Sequence, residues 1–339
     1  MDRILIVNVN WVGDVLFSTP AIHALRVRYP SAHIACLVPP RCKPVLKNNP
    51  DLNEVITFDE SARPWAPSGF WAVVQKVRRG RFDTAVFFHS SRTKILLCVL
   101  AGVKRRIGFK RGSKTAWLTQ VLEAPAASVH RTDIFLRLAR ELGASAADRR
   151  PVFLPEPGSE RSAAELLNAE GIGKRPYVVV HAGGNWDLKR WPADSFVQWI
   201  RSFQKEYPWG VVLCGTAPEV KLTEAIRVRV NDASVVSLAG RTSLDELACI
   251  LKGARMLLSN DSGPIHLAAS QDTPILGLFG PTHESVTGPI AQRVRILRRD
   301  VGCQVPCYFR TCDHRVCMEW IRPDEAMTET RNLIGVSHD

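Results

Sequence analysis

Met256-Leu257-Leu258-Ser259-Asn260-Asp261-Ser262-Gly263-Pro264-Ile265-His266-Leu267-Ala268-Ala269 is the stretch on which the fold class turns. A short apolar run breaks into a polar loop, and an apolar-periodic segment follows at once. That is the pattern of a buried strand, a tight turn and a helix. Asp261 or Ser262 suits the helix N-cap, and Pro264 suits the first turn, where no backbone donor is required. Gly263 has no side chain to hold another molecule off the backbone. Free N–H groups at the positive end of a helix dipole form a seat for a diphosphate. An ordinary strand-to-helix turn has the same pattern, so the surrounding chain has to decide.

Strands and helices alternate on both sides. The runs Arg3–Asn8, His33–Val38, Glu54–Phe58, Phe82–Phe88 and Lys104–Gly108 read as strands, the first so apolar that both its faces must be covered. Helical periodicity marks Val15–Leu25, Lys43–Asn48, Phe70–Arg79, Thr93–Leu100 and Asp133–Leu142. Proline density from Arg150-Pro151 to Pro155-Glu156-Pro157-Gly158 places a domain boundary between 155 and 156. A second alternation runs through helix Arg161–Glu170, strand Tyr177–Val180, helix Ala193–Glu206, strand Val211–Cys214, helix Glu219–Val230 and strand Ser234–Ser237. Helix Leu244–Lys252, the opening stretch and strand Pro274–Phe279 complete it. The expected fold is α/β, with two similar doubly wound parallel-sheet domains and a cleft between them.

With 339 residues, 45% hydrophobic and 23% charged, the composition is that of a globular protein with room for two domains. No apolar run approaches the roughly 18 residues of a bilayer span. The chain opens directly into Arg3-Ile4-Leu5-Ile6-Val7 without signal-peptide regions, so a cytoplasmic location is expected. Nine cysteines without obvious pairing fit a reduced compartment. A net charge of +12 favours anionic partners such as nucleic acid, acidic lipid headgroups or phosphorylated sugars. The chain lacks long basic runs and basic–aromatic interleaving, which argues against nucleic acid. Lys104, Arg105, Arg106, Lys110, Arg111 and Lys114 cluster around Gly108 and Gly112, either as a solvated loop or as a seat for an acidic acceptor.

Three further loops carry chemistry. Trp11-Val12-Gly13-Asp14 follows the first strand and offers a carboxylate, without the GxGxxG spacing of a dinucleotide fingerprint. His181-Ala182-Gly183-Gly184-Asn185-Trp186-Asp187-Leu188-Lys189-Arg190-Trp191-Pro192 pairs two glycines with Lys189, a mobile cation able to neutralise phosphate. Phe279-Gly280-Pro281-Thr282-His283-Glu284 ends the last strand. In open α/β sheets ligands lie beyond the carboxyl ends of the strands, where these loops fall.

These motifs, with Ser18-Thr19-Pro20-Ala21, resemble glycosyltransferase family 9, the bacterial lipopolysaccharide heptosyltransferases, over nearly the whole chain and in the right order. The Trp-Val-Gly-Asp motif and the C-terminal cysteines most resemble heptosyltransferase II. The resemblance implies a GT-B fold with two Rossmann-like domains. An acceptor domain (1–155) precedes a nucleotide-sugar domain (156–320), and a terminal helix within 321–339 packs back on the first. It also implies inverting, metal-independent transfer from ADP-heptose to a lipid A-linked core saccharide, at the cytoplasmic face of the inner membrane and with transient membrane contact. No cofactor is expected. The family's base matches Asp14, beside Gly13, and its phosphate-binding lysine matches Lys189, although this loop has one more residue before the lysine than some members. Gly183 and Gly184 stand where some relatives carry hydroxyls, so backbone contacts have to substitute. Glu219 matches a ribose-binding glutamate, and Thr242 a position that meets adenine through its backbone.

The chemistry read from the residues agrees. Displacing a diphosphate from an anomeric carbon needs a base for the acceptor hydroxyl and stabilisation of the departing charge. Asp14 serves as the first. The helix start at Asp261, Ser262 and Gly263, with Lys189, serves as the second, and His266 orients the loop or the phosphate. Arg105, Arg106 and Lys110 are candidates for acceptor binding. No carboxylate cluster suggests a divalent ion. Cys303, Cys307, Cys312, His314 and Cys317 are dense enough for zinc, but their spacing departs from paired CxxC motifs, and thiols without metal are expected. Rival readings are a same-fold transferase using another nucleotide sugar, or a non-catalytic nucleotide-sugar or nucleic-acid binder.

Overall fold

β1 (Arg3–Val7) is buried from Ile4 onward, as a central strand covered on both faces must be. α1 (Val12–Arg28), β2 (His33–Val38), α2 (Lys43–Leu46), β3 (Glu54–Thr57), α3 (Pro67–Arg79), β4 (Thr84–Phe87), α4 (Arg92–Leu100), β5 (Arg105–Phe109), β6 (Gln120–Leu122) and α5 (Arg131–Arg140) follow it. The computed structural model describes residues 1–59, 67–112, 115–145, 148–307, 309 and 311–335. Lys114 of the basic cluster and the chain beyond residue 335 lie outside these. Phe153 closes a first compact unit, and a second runs from Leu154 to the C-terminus.

The second unit comprises α6 (Ser159–Ala169), β7 (Tyr177–His181), α7 (Ala193–Glu206), β8 (Gly210–Leu213), α8 (Val220–Val230), β9 (Val235–Ser237), α9 (Leu244–Gly253) and β10 (Leu257–Asn260). After these come α10 (Gly263–Ser270), β11 (Ile275–Phe279), α11 (Glu284–Thr287), β12 (Val294–Arg298), α12 (Val316–Glu319) and α13 (Pro323–Ile334). Each unit holds one six-stranded parallel sheet, ordered β3-β2-β1-β4-β5-β6 and β9-β8-β7-β10-β11-β12. Both are the 3-2-1-4-5-6 order of a doubly wound nucleotide-binding sheet. The fold is therefore α/β of the GT-B type, with two Rossmann-like units. In each sheet the order reverses between the first and fourth strands, and the loops there part to leave a crevice.

The second core joins Val178, Val180, Leu258 and Leu278 of the sheet to Phe196, Trp199 and Phe203 of α7, with Trp199 and Phe203 stacked at 5.1 Å. Burying each large apolar side chain contributes about 1.5–3 kcal/mol. The terminal helix packs on this core. Ala326, Met327 and Leu333 of α13 join the same core, and the Trp199 indole N–H donates to Thr330 Oγ1 at 3.2 Å. An apolar face already covered by α7 is drawn to its own unit.

Pro20 lies inside α1 and cannot donate to the Leu16 carbonyl four residues earlier. The Thr19 hydroxyl donates there instead, at 2.8 Å, and accepts the Val152 N–H at 2.8 Å. Ser18 Oγ accepts from the buried Asn8 side chain at 2.8 Å. The Ser-Thr-Pro motif thus repairs the helix and fastens it to the end of β1.

Candidate active site

In the second unit the crevice lies beyond β7 and β10. Asn260 ends β10 fully buried, and its amide group donates to the carbonyls of Ala182 (2.9 Å) and Gly183 (3.0 Å). Its carbonyl oxygen accepts the Trp191 N–H at 3.0 Å. One asparagine therefore fixes both ends of the His181–Trp191 loop. Such a buried amide is stable only because its donors and acceptor are matched.

Asp261, also buried, is the hub of the next layer. Its Oδ2 accepts from Lys189 Nζ at 2.8 Å, from Thr282 Oγ1 at 2.6 Å and from Thr287 Oγ1 at 3.3 Å. The β7–α7 loop, the loop after β11 and the short helix α11 are thus pinned to one carboxylate oxygen. The Lys189 side chain stays 22% exposed, so its ammonium is oriented by Asp261 yet open to solvent. α10 begins next. Ser262 is its N-cap but makes no side-chain cap; its hydroxyl lies 2.9 Å from His181 Nδ1 instead. A Cβ on Gly263 would meet nothing within 4 Å, so protein packing does not demand glycine there. A helix N-terminus with open space above its first residue suits an approaching anion. His266 is buried within the helix.

Glu219 is a second hub. Oε1 accepts the Gly184 N–H at 2.6 Å and lies 3.6 Å from His181 Nε2. Oε2 accepts both the N–H (2.7 Å) and the hydroxyl (2.8 Å) of Thr216. Burial alone would raise this carboxyl; the hydrogen bond and charge of His181 and the Thr216 donors outweigh it and hold it well below the usual carboxylate range. The Gly184 N–H is directed to Glu219 rather than held ready for a phosphate. Both carboxylate oxygens of Glu219 accept from the protein, so it ties the β7 loop to the β8 loop. Gly183 is required for the same reason: a Cβ there would sit 1.8 Å from Glu219 Oε1. Thr242 is half-buried just before α9, whose own capping box is Ser243 with Glu246.

In the first unit, Gly13 and Asp14 are not in a loop. α1 starts at Val12 with Trp11 as N-cap, so Asp14 is a half-buried residue of the first turn. A carboxylate there is favoured by the helix dipole. The basic residues divide. Ile4 pairs with Thr84 and Thr84 with Arg105, so Arg105 and Arg106 begin β5 at the amino edge of the sheet. Asp14 follows the carboxyl end of β1, so strand register separates them. Arg106 donates to the Trp117 carbonyl at 2.7 Å and to that of Val103, and Arg105 to Gln120 Oε1 at 3.0 Å. They brace the β5–β6 connection. Lys110 alone of the three follows the carboxyl end of β5, exposed and 3.3 Å from Glu123.

Cys303, Cys307, Cys312 and Cys317 line one small cavity with Gly280, Pro281 and Arg315. Burial, then the nearby Cys312, Cys303 and Cys307, push the Cys317 thiol up. Cys307 N–H donates to the Pro281 carbonyl at 2.7 Å, which fastens this segment to the Thr282 loop. Among the described residues no three His, Cys, Asp or Glu side chains are grouped to hold a metal ion. Cys36, Cys98 and Cys214 are buried thiols pushed up to about 12, which leaves them protonated and unreactive.

Two Rossmann-like units, one with a helix N-terminus and a presented lysine at its switch point and the other with a carboxylate near its own, are the architecture of a GT-B protein. Residues 70–315 match the model of glycosyltransferase family 9 (heptosyltransferase), and the chain belongs to that family. Lipopolysaccharide heptosyltransferase 2 of Escherichia coli K12 is 27% identical over 316 residues, covering 88% of this chain and 89% of the relative. The solved E. coli ADP-heptose lps heptosyltransferase II superposes with a TM-score of 0.82 at 23% identity, covering 98% of both chains. A family 9 glycosyl transferase from Veillonella parvula gives 0.87 at 20% identity, over 99% of this chain and 98% of that one.

Proposed function

We propose that this glycosyltransferase moves heptose from ADP-heptose to the inner core of a lipid A-linked lipopolysaccharide, with inversion and without a metal ion. The observation that carries the donor side is the Lys189–Asp261–Thr282 junction beside the uncapped start of α10. A departing ADP carries growing negative charge on its outer phosphate. Lys189 neutralises it as a point charge, and the N–H groups at Gly263 supply directed donors. Asp261 keeps the lysine in place before substrate arrives, so little reorganisation is required during reaction. Thr242 borders the nucleotide, and His266 supports the helix from behind.

Asp14 takes the proton of the acceptor hydroxyl. The hydroxyl oxygen forms a bond to the anomeric carbon as the bond from that carbon to the phosphate oxygen breaks, and configuration inverts. Lys110 contributes to holding an anionic acceptor. The reaction takes place at the cytoplasmic face of the inner membrane through peripheral contact; among the described residues no helix is long and apolar enough to cross a membrane.

The test compares Asp14→Asn with wild type in transfer from ADP-heptose to heptose-acceptor core. The substitution retains shape but accepts no proton. Loss of a general base costs about 10²–10⁴-fold, so kcat falls by that factor while ADP affinity holds. Turnover within a few-fold of wild type would refute the assignment.

A further inference from the structure

We infer that Lys94 is a positioning residue for this reaction, holding the Asn8–Asp14 segment so that Asp14 acts as base. The inference rests on the reading of Asp14 given above. Lys94 is 1% exposed, and a lysine so deeply buried is rare unless the site requires it. Its place is unfavourable on local grounds. It lies in the first turn of α4, where the helix dipole opposes a cation, and its N–H is capped by Ser91 Oγ at 3.4 Å. An apolar residue at this position would be cheaper for the core, so the ammonium must answer to something outside its own helix.

That partner is the crevice of the first sheet. α4 follows β4, and the Asn8–Asp14 segment follows β1, the two strands between which the order reverses. Lys94 Nζ crosses this point, donating to Asn10 Oδ1 at 2.7 Å and lying 3.5 Å from the Asn8 carbonyl. Arg41, from the chain after β2, donates to the Asn10 carbonyl at 2.8 Å and stacks on the Trp11 ring at 4.6 Å. Asn8 is held by Ser18 and lies 3.5 Å from the Cys36 thiol. Asn8, Asn10 and Trp11 are therefore held, and Lys94 supplies the grip from the β4 side. The charged and titratable groups around the segment are Asp14 on α1, Arg41, Cys36 and Cys42 from the second strand and the chain after it, and Lys94. Burial is the main cause that pushes Cys42 up to about 11; Lys94 and Asp14 both lie near enough to act on it, with opposite sign. The cation thus shares the neighbourhood of the base.

The test uses the full chain with ADP-heptose and a heptose-acceptor core, and reads kcat, KM and ADP affinity separately. Lys94→Met retains the apolar stem and should lower kcat about ten- to a hundredfold, the cost of a misplaced catalytic group, with ADP affinity unchanged. Lys94→Arg should restore part of the rate. Combined with Asp14→Asn it should lower kcat no further than Asp14→Asn alone, because both act on one step. Asn10→Ala removes the same hydrogen bond from its half-buried end and carries the test should the methionine variant fail to fold. A folded Lys94→Met with wild-type kcat beside a crippled Asp14→Asn overturns the role of Lys94 and leaves the base standing. Wild-type kcat in Asp14→Asn overturns the base and this inference with it.

Discussion

Glu219→Gln isolates the contribution of the second hub. In either amide orientation an NH2 group replaces an acceptor. With it at the Oε1 position, the Gly184 N–H at 2.6 Å loses its acceptor; at the Oε2 position, the Thr216 N–H at 2.7 Å does. The Thr216 hydroxyl can rotate to accept, but a backbone N–H cannot. One buried donor left unsatisfied costs about 1–3 kcal/mol, and weakening the charge-assisted bonds that remain adds about 1. The side chain is only 9% exposed, so solvent does little to soften this. A total of about 2–4 kcal/mol corresponds to a fall in midpoint of roughly 5–15 °C for a unit of this size. Calorimetry at pH 7 should show it in the transition of the second unit. The difference has a defined pH course. The folded carboxyl lies below its ordinary value of 4.5, so its stabilisation is complete above that value and is lost as pH falls through the folded one. The gap between wild type and variant should therefore close on acidification below about 4.5. A variant melting within a degree of wild type at pH 7 would show that Glu219 is not the tie described.

Lys189→Ala should weaken ADP binding by about ten- to a hundredfold, the worth of one charged hydrogen bond at 1.5–3 kcal/mol, and should slow transfer; unchanged affinity by titration calorimetry would place Lys189 away from the diphosphate. ADP should raise the melting temperature in EDTA as much as in magnesium, by mass action on the folded state; transfer that stops in EDTA and returns with magnesium would contradict the metal-independent mechanism. Arg106→Ala should lower stability by about 1–3 kcal/mol while leaving acceptor KM alone, because its donors serve backbone carbonyls. Lys110→Ala should do the reverse, raising acceptor KM more at low salt than at high; a raised KM in the arginine variant would return the acceptor to the amino edge of the sheet.

The central strands and the helices between them were legible because their signal is local. Continuous apolar runs such as Tyr177–His181 admit few alternatives, and their order along the chain already implied parallel sheets. The edges were not. β6 spans three residues with Val121 45% exposed, and β12 interleaves Arg295 among its apolar positions. An edge strand has one neighbour and one partly wet face, so its sequence need not look like a strand. The start of α1 was also misplaced, because Trp11 caps it without any side-chain hydrogen bond and leaves no capping signature to read.

The site was legible by loop but not by role. Gly183, Gly184 and Glu219 were read as contacts for the donor, since glycine and carboxylate in such loops often are. The structure shows them first as contacts for one another across 35 residues of chain. Asn260, His181 and Thr282 went unnoticed as site builders because each is ordinary within its own segment; only β7, β8, β10 and β11 lying side by side make them a network. Lys94 is the instructive case. In sequence it is one cation at the head of an apolar helix, where a solvated end is the natural reading, and nothing local says that its ammonium turns inward to a loop 84 residues away. Its burial contradicts both its helix position and its charge. When two local rules are broken at one residue, and that residue sits where a parallel sheet reverses its order, the cause is sought in the site rather than in the core.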